Sequence, residues 1–264
     1  MPRPPASFRA ARGFTLVELL AVLAAVAVLS TLLFGFAARA RGRAHEAQCK
    51  LNLLHWGSAF HLYAADHDGH LPHPDDTSRP DKSGLADSPH DHCYIDELPP
   101  AYMSDTAWRD YPSGAKPTGG FWQCPSARLA RANRYAYSPS AAGYHSYAMN
   151  SYLAHDFPYG LLGREAQSSY LYLPRCPAPD QTILLFEQSV SPSDSVFTSG
   201  NRSAGLYPAE DATALSVRHR HRRGGEGCNV LFLDGHVEWR DNLWAKTHSD
   251  IPSPGDRTWY PYDY

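Results

Sequence analysis

The sequence predicts an α+β fold: one long N-terminal α-helix, its first half transmembrane, packed on a mainly antiparallel β-sheet domain with long loops. Three observations predict it. A nearly uncharged apolar run extends from Phe14 to Ala38. A helical apolar stripe continues past its end. The remainder is turn-rich, with short apolar strand candidates, two of which flank Asp234-Gly235.

The chain of 264 residues is 43% hydrophobic and 19% charged, a globular balance that supports a packed core. Mean hydropathy is -0.44 despite the apolar run, so the rest is clearly polar. The net charge of -3 gives no global polyanion-binding signature, and nucleic acid is not expected as a partner.

Residues 1–13 hold Arg3, Arg9 and Arg12 and no acid. In the 25 residues from Phe14 to Ala38 the single ionisable group is Glu18. At about 1.5 Å per residue a helix of that length covers the ~30 Å hydrocarbon core. An ordinary secretory signal fits less well. The run exceeds the roughly 7–15 residues of such a core. No clean small-x-small cleavage site follows the run before the charged stretch Arg39–Arg43, and an acid lies inside the run. A carboxylate at the membrane centre costs roughly 2.5–3.5 kcal/mol, less near an end, so Glu18 reads as functional. Its natural partner is an α-amine at the same depth, which cleavage between Gly13 and Phe14 would create. Pairing with a neighbouring subunit's terminus would remove two buried charges and fix the stagger. Three arginines precede the span and three follow it, so charge alone does not orient it.

Cys49, Leu53, Trp56, Phe60 and Tyr63 are spaced 4, 3, 4, 3 and form one helix face. Asp66-His67-Asp68-Gly69, then Leu71-Pro72, are stop signals. The expected organisation is a cleaved basic leader at 1–13, a transmembrane half-helix at 14–38, an amphipathic extension at 39–66 and an extracytoplasmic globular domain at 67–264. Strands are expected at Thr182–Phe186, Asn229–Leu233 and His236–Trp239. A two-residue Asp234-Gly235 loop of type I′ would need positive φ at both residues.

Arg12-Gly13-Phe14-Thr15-Leu16-Val17-Glu18-Leu19-Leu20 resembles the processing motif of type IV prepilins and type II secretion pseudopilins. The resemblance implies a pilin-like fold, cleavage after Gly13 by prepilin peptidase, N-methylation of Phe14 and a role for Glu18 in assembly. It also implies a single-pass protein of the bacterial inner membrane, its leader cytoplasmic and its globular domain in the periplasm or at the cell surface. The implied partners are the peptidase, other pilin-like subunits and the membrane.

Further stretches extend the resemblance to residue 239: Cys49–Leu54, His61–Pro72, Phe121–Ser126, Ser146–Asn150, Arg220-His221 and Asn229–Val237. They are similar to a bacterial pilin-like subgroup named for a His, nine residues, then Asp-Gly. Here His221 is followed by twelve residues before Asp234, and His219 by fourteen. The extra residues lengthen the Arg222–Gly227 loop. His221, Asp234 and Gly235 are read as a structural hairpin motif.

Other clusters have plainer readings. Asp66-x-Asp68-Gly69 resembles part of a calcium loop, and some pseudopilins bind calcium. Ala64, however, stands at the first ligand position and no Glu follows six residues past the Gly. The cluster reads as a helix-ending turn, with Asp66 and Asp68 the weak metal candidates. His90-Asp91-His92-Cys93 lacks a full zinc set and reads as an exposed loop with half a disulfide. Arg218–Gly225 reads as a solvated basic loop. The five cysteines are far apart and allow up to two disulfides whose pairing the sequence leaves open. No Gly-x-Ser-x-Gly, His-Glu-x-x-His or phosphate loop occurs, so neither an enzyme nor a cofactor is expected. A prepilin-like structural subunit is the first functional reading. A membrane-anchored binding module or enzyme for a sugar or metal ligand is the second.

Overall fold

The computed structural model describes residues 15–74, 93–111, 119–127, 145–150, 153, 172–188, 205–206, 215–220, 224–241, 244 and 257–259. The leader, Gly13, Phe14, Asp75, Asp76, His90, Asp91, His92 and His221 lie outside them. The chain divides into two units, Met1–Ala44 and His45–Tyr264.

Helix α1 runs from Leu16 to Asp66. No proline interrupts it, and Ala and Leu dominate its first half, both strong helix formers. In the first unit its apolar side chains are uncovered: Leu16, Leu33, Phe34 and Phe36 are each more than three-fifths exposed. The most apolar stretch of α1 has a mean hydropathy of 2.6, and none of it is buried. By length and composition this stretch can cross a membrane.

In the second unit α1 turns amphipathic. Cys49, Leu53, Trp56, Phe60 and Tyr63 are all buried, and Asn52 and Ala59 fill the flank of the same stripe. Burying each large apolar side chain contributes roughly 1.5–3 kcal/mol. The helix ends as a Schellman turn: Asp68 takes a left-handed φ of 51°, and the Gly69 N–H reaches the Ala64 carbonyl at 2.7 Å.

Helix α2 (Tyr94–Tyr102) follows, then short 3-10 turns at Trp108–Asp110 and Gly120–Trp122. Among the described residues six strands form one sheet: β1 Tyr147–Asn150, β2 Ile183–Glu187, β3 Gly205–Leu206, β4 His219–Arg220, β5 Glu226–Phe232 and β6 Val237–Asp241. Strands β1, β2, β5 and β6 pair antiparallel in that order, and β3 adds to β1 in parallel. Strand β6 spans Gly227 to Leu231 on one edge of β5, so β4 and β2 share the other edge, end to end. The expected α+β class is the observed one.

Strand alternation gives the sheet two buried faces. Tyr147, Met149, Leu185 and Leu231 join the core that contains α1 and α2. Ala148, Ile183, Phe186, Cys228, Val230 and Phe232 form a second core with Leu215 and Trp259. Residues 257–259 seal that second face: Ile183 N–H bonds the Thr258 carbonyl, and Asn150 Nδ2 bonds the Trp259 carbonyl at 2.7 Å. The helix lies close on the sheet at Gly57, where a Cβ would sit 3.0 Å from Leu231 Cδ1.

The β5–β6 connection differs from the expected two-residue loop. Pairing closes at Phe232 and His236, leaving Leu233, Asp234 and Gly235 as a three-residue loop. The Gly235 N–H bonds the Phe232 carbonyl at 3.0 Å, and of the two residues expected at positive φ Gly235 alone is there, at 92°. A three-residue loop that ends on a left-handed glycine is the next most common hairpin connection after the two-residue primed turns. Leu233, expected in the strand, is in the loop yet buried.

Candidate functional site

The N-terminal site rests on Glu18, since Gly13 and Phe14 lie outside the described residues. Glu18 is in the first turn of α1, behind Thr15. Its carboxylate accepts the Thr15 N–H and the Thr15 hydroxyl, each at 2.8 Å. The Glu18 N–H reaches back to Thr15 Oγ1 at 3.3 Å. This is a reciprocal capping box, Thr-x-x-Glu, which satisfies two of the orphan N–H groups of the helix start. The negative charge also sits at the positive end of the helix dipole. Sequence reading placed Glu18 opposite a neighbour's amine and missed this local partner, although Thr15 three residues earlier signals it.

The second site is a polar cluster buried between α1 and the sheet. Tyr147 and Glu187 are register partners, as are His219 and Gly227, so alternation puts all four positions, with Asn229, on the helix-facing side. Cys49 comes to the same place from α1, disulfide-bonded to Cys124, with Cα atoms 5.2 Å apart. His219 Nε2 lies 3.0 Å from Glu187 Oε1 and 3.4 Å from Cys124 Sγ. The second Glu187 oxygen accepts the Asn229 N–H at 3.0 Å, and Asn229 Nδ2 donates to Oε1 at 3.2 Å. Ser146 Oγ accepts the Cys124 N–H at 2.9 Å. Asn52 Nδ2 lies within hydrogen-bond reach of the Gly120 carbonyl and of the Tyr147 hydroxyl. Buried polar groups are tolerable only when paired in this way.

The electrostatics follow from burial. Burial would raise the Glu187 carboxyl, but the charge of His219, its hydrogen bond, the Arg218 guanidinium and the Asn229 N–H hold it below its ordinary value. Burial, then the Glu187 charge, pushes the Tyr147 phenol far up. The same two causes push up the Cys228 thiol, which lies on the opposite face.

Cys49, Cys124, Glu187 and His219 are all buried, and their metal-ligating atoms lie within 4.8 Å of one another. Sequence reading did not single out this set. Its one detectable signal was Glu187, an acid at the end of the apolar strand Ile183–Phe186. The basic run had been expected to be solvated. His219 instead enters the core, at 2% exposure, because its pairing with Gly227 turns it inward. Cys93, expected in an exposed loop as half a disulfide, is fully buried and precedes α2. The Asp66 carboxylate accepts the Tyr102 hydroxyl at 2.9 Å, and Asp68 forms the helix-ending turn. In the hairpin, Asp234 Oδ1 accepts the His236 N–H at 3.0 Å and lies 2.6 Å from His236 Nδ1.

Compared with known proteins, residues 8–34 match the family model of the prokaryotic N-terminal methylation motif. No curated protein and no solved structure matches the chain. The motif and the apolar start of α1 together support a prepilin-like, membrane-anchored protein.

Proposed function

We propose that this chain is a structural subunit of the pilin-like class, not an enzyme. Prepilin peptidase cuts it between Gly13 and Phe14, Phe14 is N-methylated, and the mature subunit joins other pilin-like subunits in a pilus or type II secretion pseudopilus. In this reading the span lies in the bacterial inner membrane and the second unit is extracytoplasmic. The chain then belongs to the subgroup with a carboxyl-terminal His…Asp-Gly motif, from whose nine-residue spacing it departs, with twelve residues between His221 and Asp234. The observation that carries the reading is the methylation motif at residues 8–34, which runs into the apolar start of α1, where the side chains are uncovered.

The alternative is a membrane-anchored sugar- or metal-binding module or enzyme, of which a sugar binder or an enzyme would need a site open to its ligand. The polar groups that converge in the second unit are buried beneath α1, which favours a fold-holding role for them.

Mass spectrometry of the mature amino terminus tests the proposal. The expected species begins at N-methylated Phe14. A terminus beyond Ala38 would mean an ordinary signal peptide and end this reading. Replacing Gly13 with a bulky residue should leave uncut precursor in the membrane.

A further inference from the structure

We propose that Cys49, Cys124, His219 and Glu187 form a buried zinc site in the dithiol state of the protein, and that the Cys49–Cys124 disulfide is its oxidised, metal-free alternative.

The geometry carries the inference. Four donors of the types that zinc prefers come from four separate segments: α1, the stretch after Gly120–Trp122, β2 and β4. All four atoms lie within 4.8 Å of one another. One tetrahedral zinc ion, with bonds of about 2.0–2.3 Å, holds its ligands roughly 3.3–3.8 Å apart. His219 Nε2 faces Cys124 Sγ at 3.4 Å, within that spacing, and Glu187 Oε1 at 3.0 Å, a few tenths of an ångström short of it. Outer partners orient the set. The Asn229 N–H holds the second Glu187 oxygen, and Asn229 Nδ2 backs the first. Ligands held this way bind metal more tightly. Charge closes as well. Two thiolates and a carboxylate carry three negative charges, and the ion offsets two. The third is offset by Arg218, whose guanidinium acts on both Glu187 and Cys228.

The chemistry balances in each direction. The newly made chain carries both cysteines as thiols. On binding, two S–H bonds break, two protons leave to solvent and two Zn–S bonds form. The proton that the charged His219 ring carries on Nε2 also leaves to solvent, so that this nitrogen gives its lone pair, and Glu187 gives a carboxylate oxygen. Oxidation by a disulfide-bearing reagent breaks that reagent's S–S bond. Of the two electron pairs that held the ion, one forms the new Cys49–Cys124 bond and the other reduces the reagent, which takes two protons from solvent and leaves as two thiols, and the ion is released. The occupant therefore follows the redox compartment: zinc where thiols stay reduced, a disulfide where they are oxidised.

The test uses the full chain in detergent micelles, reduced with a phosphine under argon and titrated with Co2+, then Zn2+. One Co2+ per chain should give thiolate-to-cobalt charge transfer and intense tetrahedral d–d bands, bleached by Zn2+. The oxidised chain should give neither. His219→Ala and Glu187→Gln should each lose the tetrahedral bands, and Asn229→Ala should weaken binding about 10–100-fold. Should those variants misfold, the natural chain still decides. Zn2+ should slow alkylation of both Cys49 and Cys124, read by peptide mass spectrometry, and leave Cys176 and Cys228 unchanged. Absence of a cobalt–thiolate band in the reduced chain, bands that survive both ligand substitutions, or no protection of Cys49 and Cys124 would each overturn the site.

Discussion

His219 Nε2 and Glu187 Oε1 lie 3.0 Å apart in the core, at 2% and 0% side-chain exposure. The Glu187 carboxyl is held below its ordinary value, so the sign of its pH effect is fixed. A depressed carboxyl stabilises the fold above its unfolded value, about 4.3 for Glu, and loses that contribution as pH falls through the lower folded value. The groups facing Glu187 are His219, Arg218, Tyr147 and, through the sheet, Cys228. Urea unfolding of the oxidised chain should therefore show stability that is level near neutrality and falls in acid below about pH 4. Glu187→Gln should be less stable near neutrality, by roughly 3–5 kcal/mol, because it breaks a buried pair. It should also fall less steeply in acid. An equal acid slope in both chains would show that Glu187 does not carry the effect.

The Cys49–Cys124 bond closes a loop with a sequence separation of 75, joining α1 to the segment that Asn52 and Trp56 also hold. In the chain-entropy description such a cross-link is worth about 4 kcal/mol. The double variant Cys49→Ser, Cys124→Ser should unfold at clearly lower urea concentration without reductant. With reductant and a metal chelator present, natural and variant chains should converge. A persistent gap under those conditions would place the stabilisation elsewhere.

Gly57 tests how closely α1 sits on β5. A Cβ there would lie 3.0 Å from Leu231 Cδ1, and Leu231 is fully buried, so it has little room to give. Gly57→Val should destabilise the second unit by about 1–3 kcal/mol, the usual cost of overpacking. Gly57→Ala should cost less, because alanine recovers about 1 kcal/mol of helix propensity. Thermal unfolding ranks the two. A valine variant as stable as the natural chain would mean that the helix–sheet gap is wider than described.

The helix stripe was legible because one period ties Cys49 to Tyr63 within a single element, and burial follows period. Strand β2 was legible as a short apolar run bounded by turns. The buried cluster was not, because residues 49, 124, 187 and 219 come from four segments and no local pattern says which loops meet. His219 was misread for a related reason. Its neighbours in sequence are arginines, and composition suggested water, whereas pairing with Gly227 turned it into the core. The hairpin error was one of counting. Leu233 is apolar and buried like a strand residue, so the sequence favoured two loop residues where the backbone uses three.

The three-residue loop sharpens what substitution there should do. Gly235 has φ 92°, and a Cβ would lie 3.2 Å from His61 Nε2 on α1. Gly235→Val should cost at least about 1–2 kcal/mol from the left-handed backbone alone, with the His61 contact added. Asp234→Asn should be nearly neutral, because its Oδ1 can still accept the His236 N–H. Both are read by thermal unfolding. A large loss for Asp234→Asn would show that the carboxylate charge matters, through its 2.6 Å contact with His236 Nδ1.

Thr15 and Glu18 separate local capping from pairing between subunits. Both readings use the same carboxylate, but only capping uses the Thr15 hydroxyl. Glu18→Ala removes the cap partner and the charge together. Thr15→Ala removes the hydroxyl cap, at about 0.5–2 kcal/mol, and leaves the charge in place. If Glu18 pairs with a neighbour's terminal amine, Glu18→Ala should be processed and inserted normally yet fail to join other subunits. The amine left unpaired in apolar surroundings would cost roughly 3–5 kcal/mol. Thr15→Ala should then assemble nearly as well as the natural chain. Cross-linking between neighbouring copies in the membrane measures assembly, and the mass of the mature chain measures processing. Equal assembly defects in the two variants would assign Glu18 to capping, and normal assembly of Glu18→Ala would remove the pairing from the account.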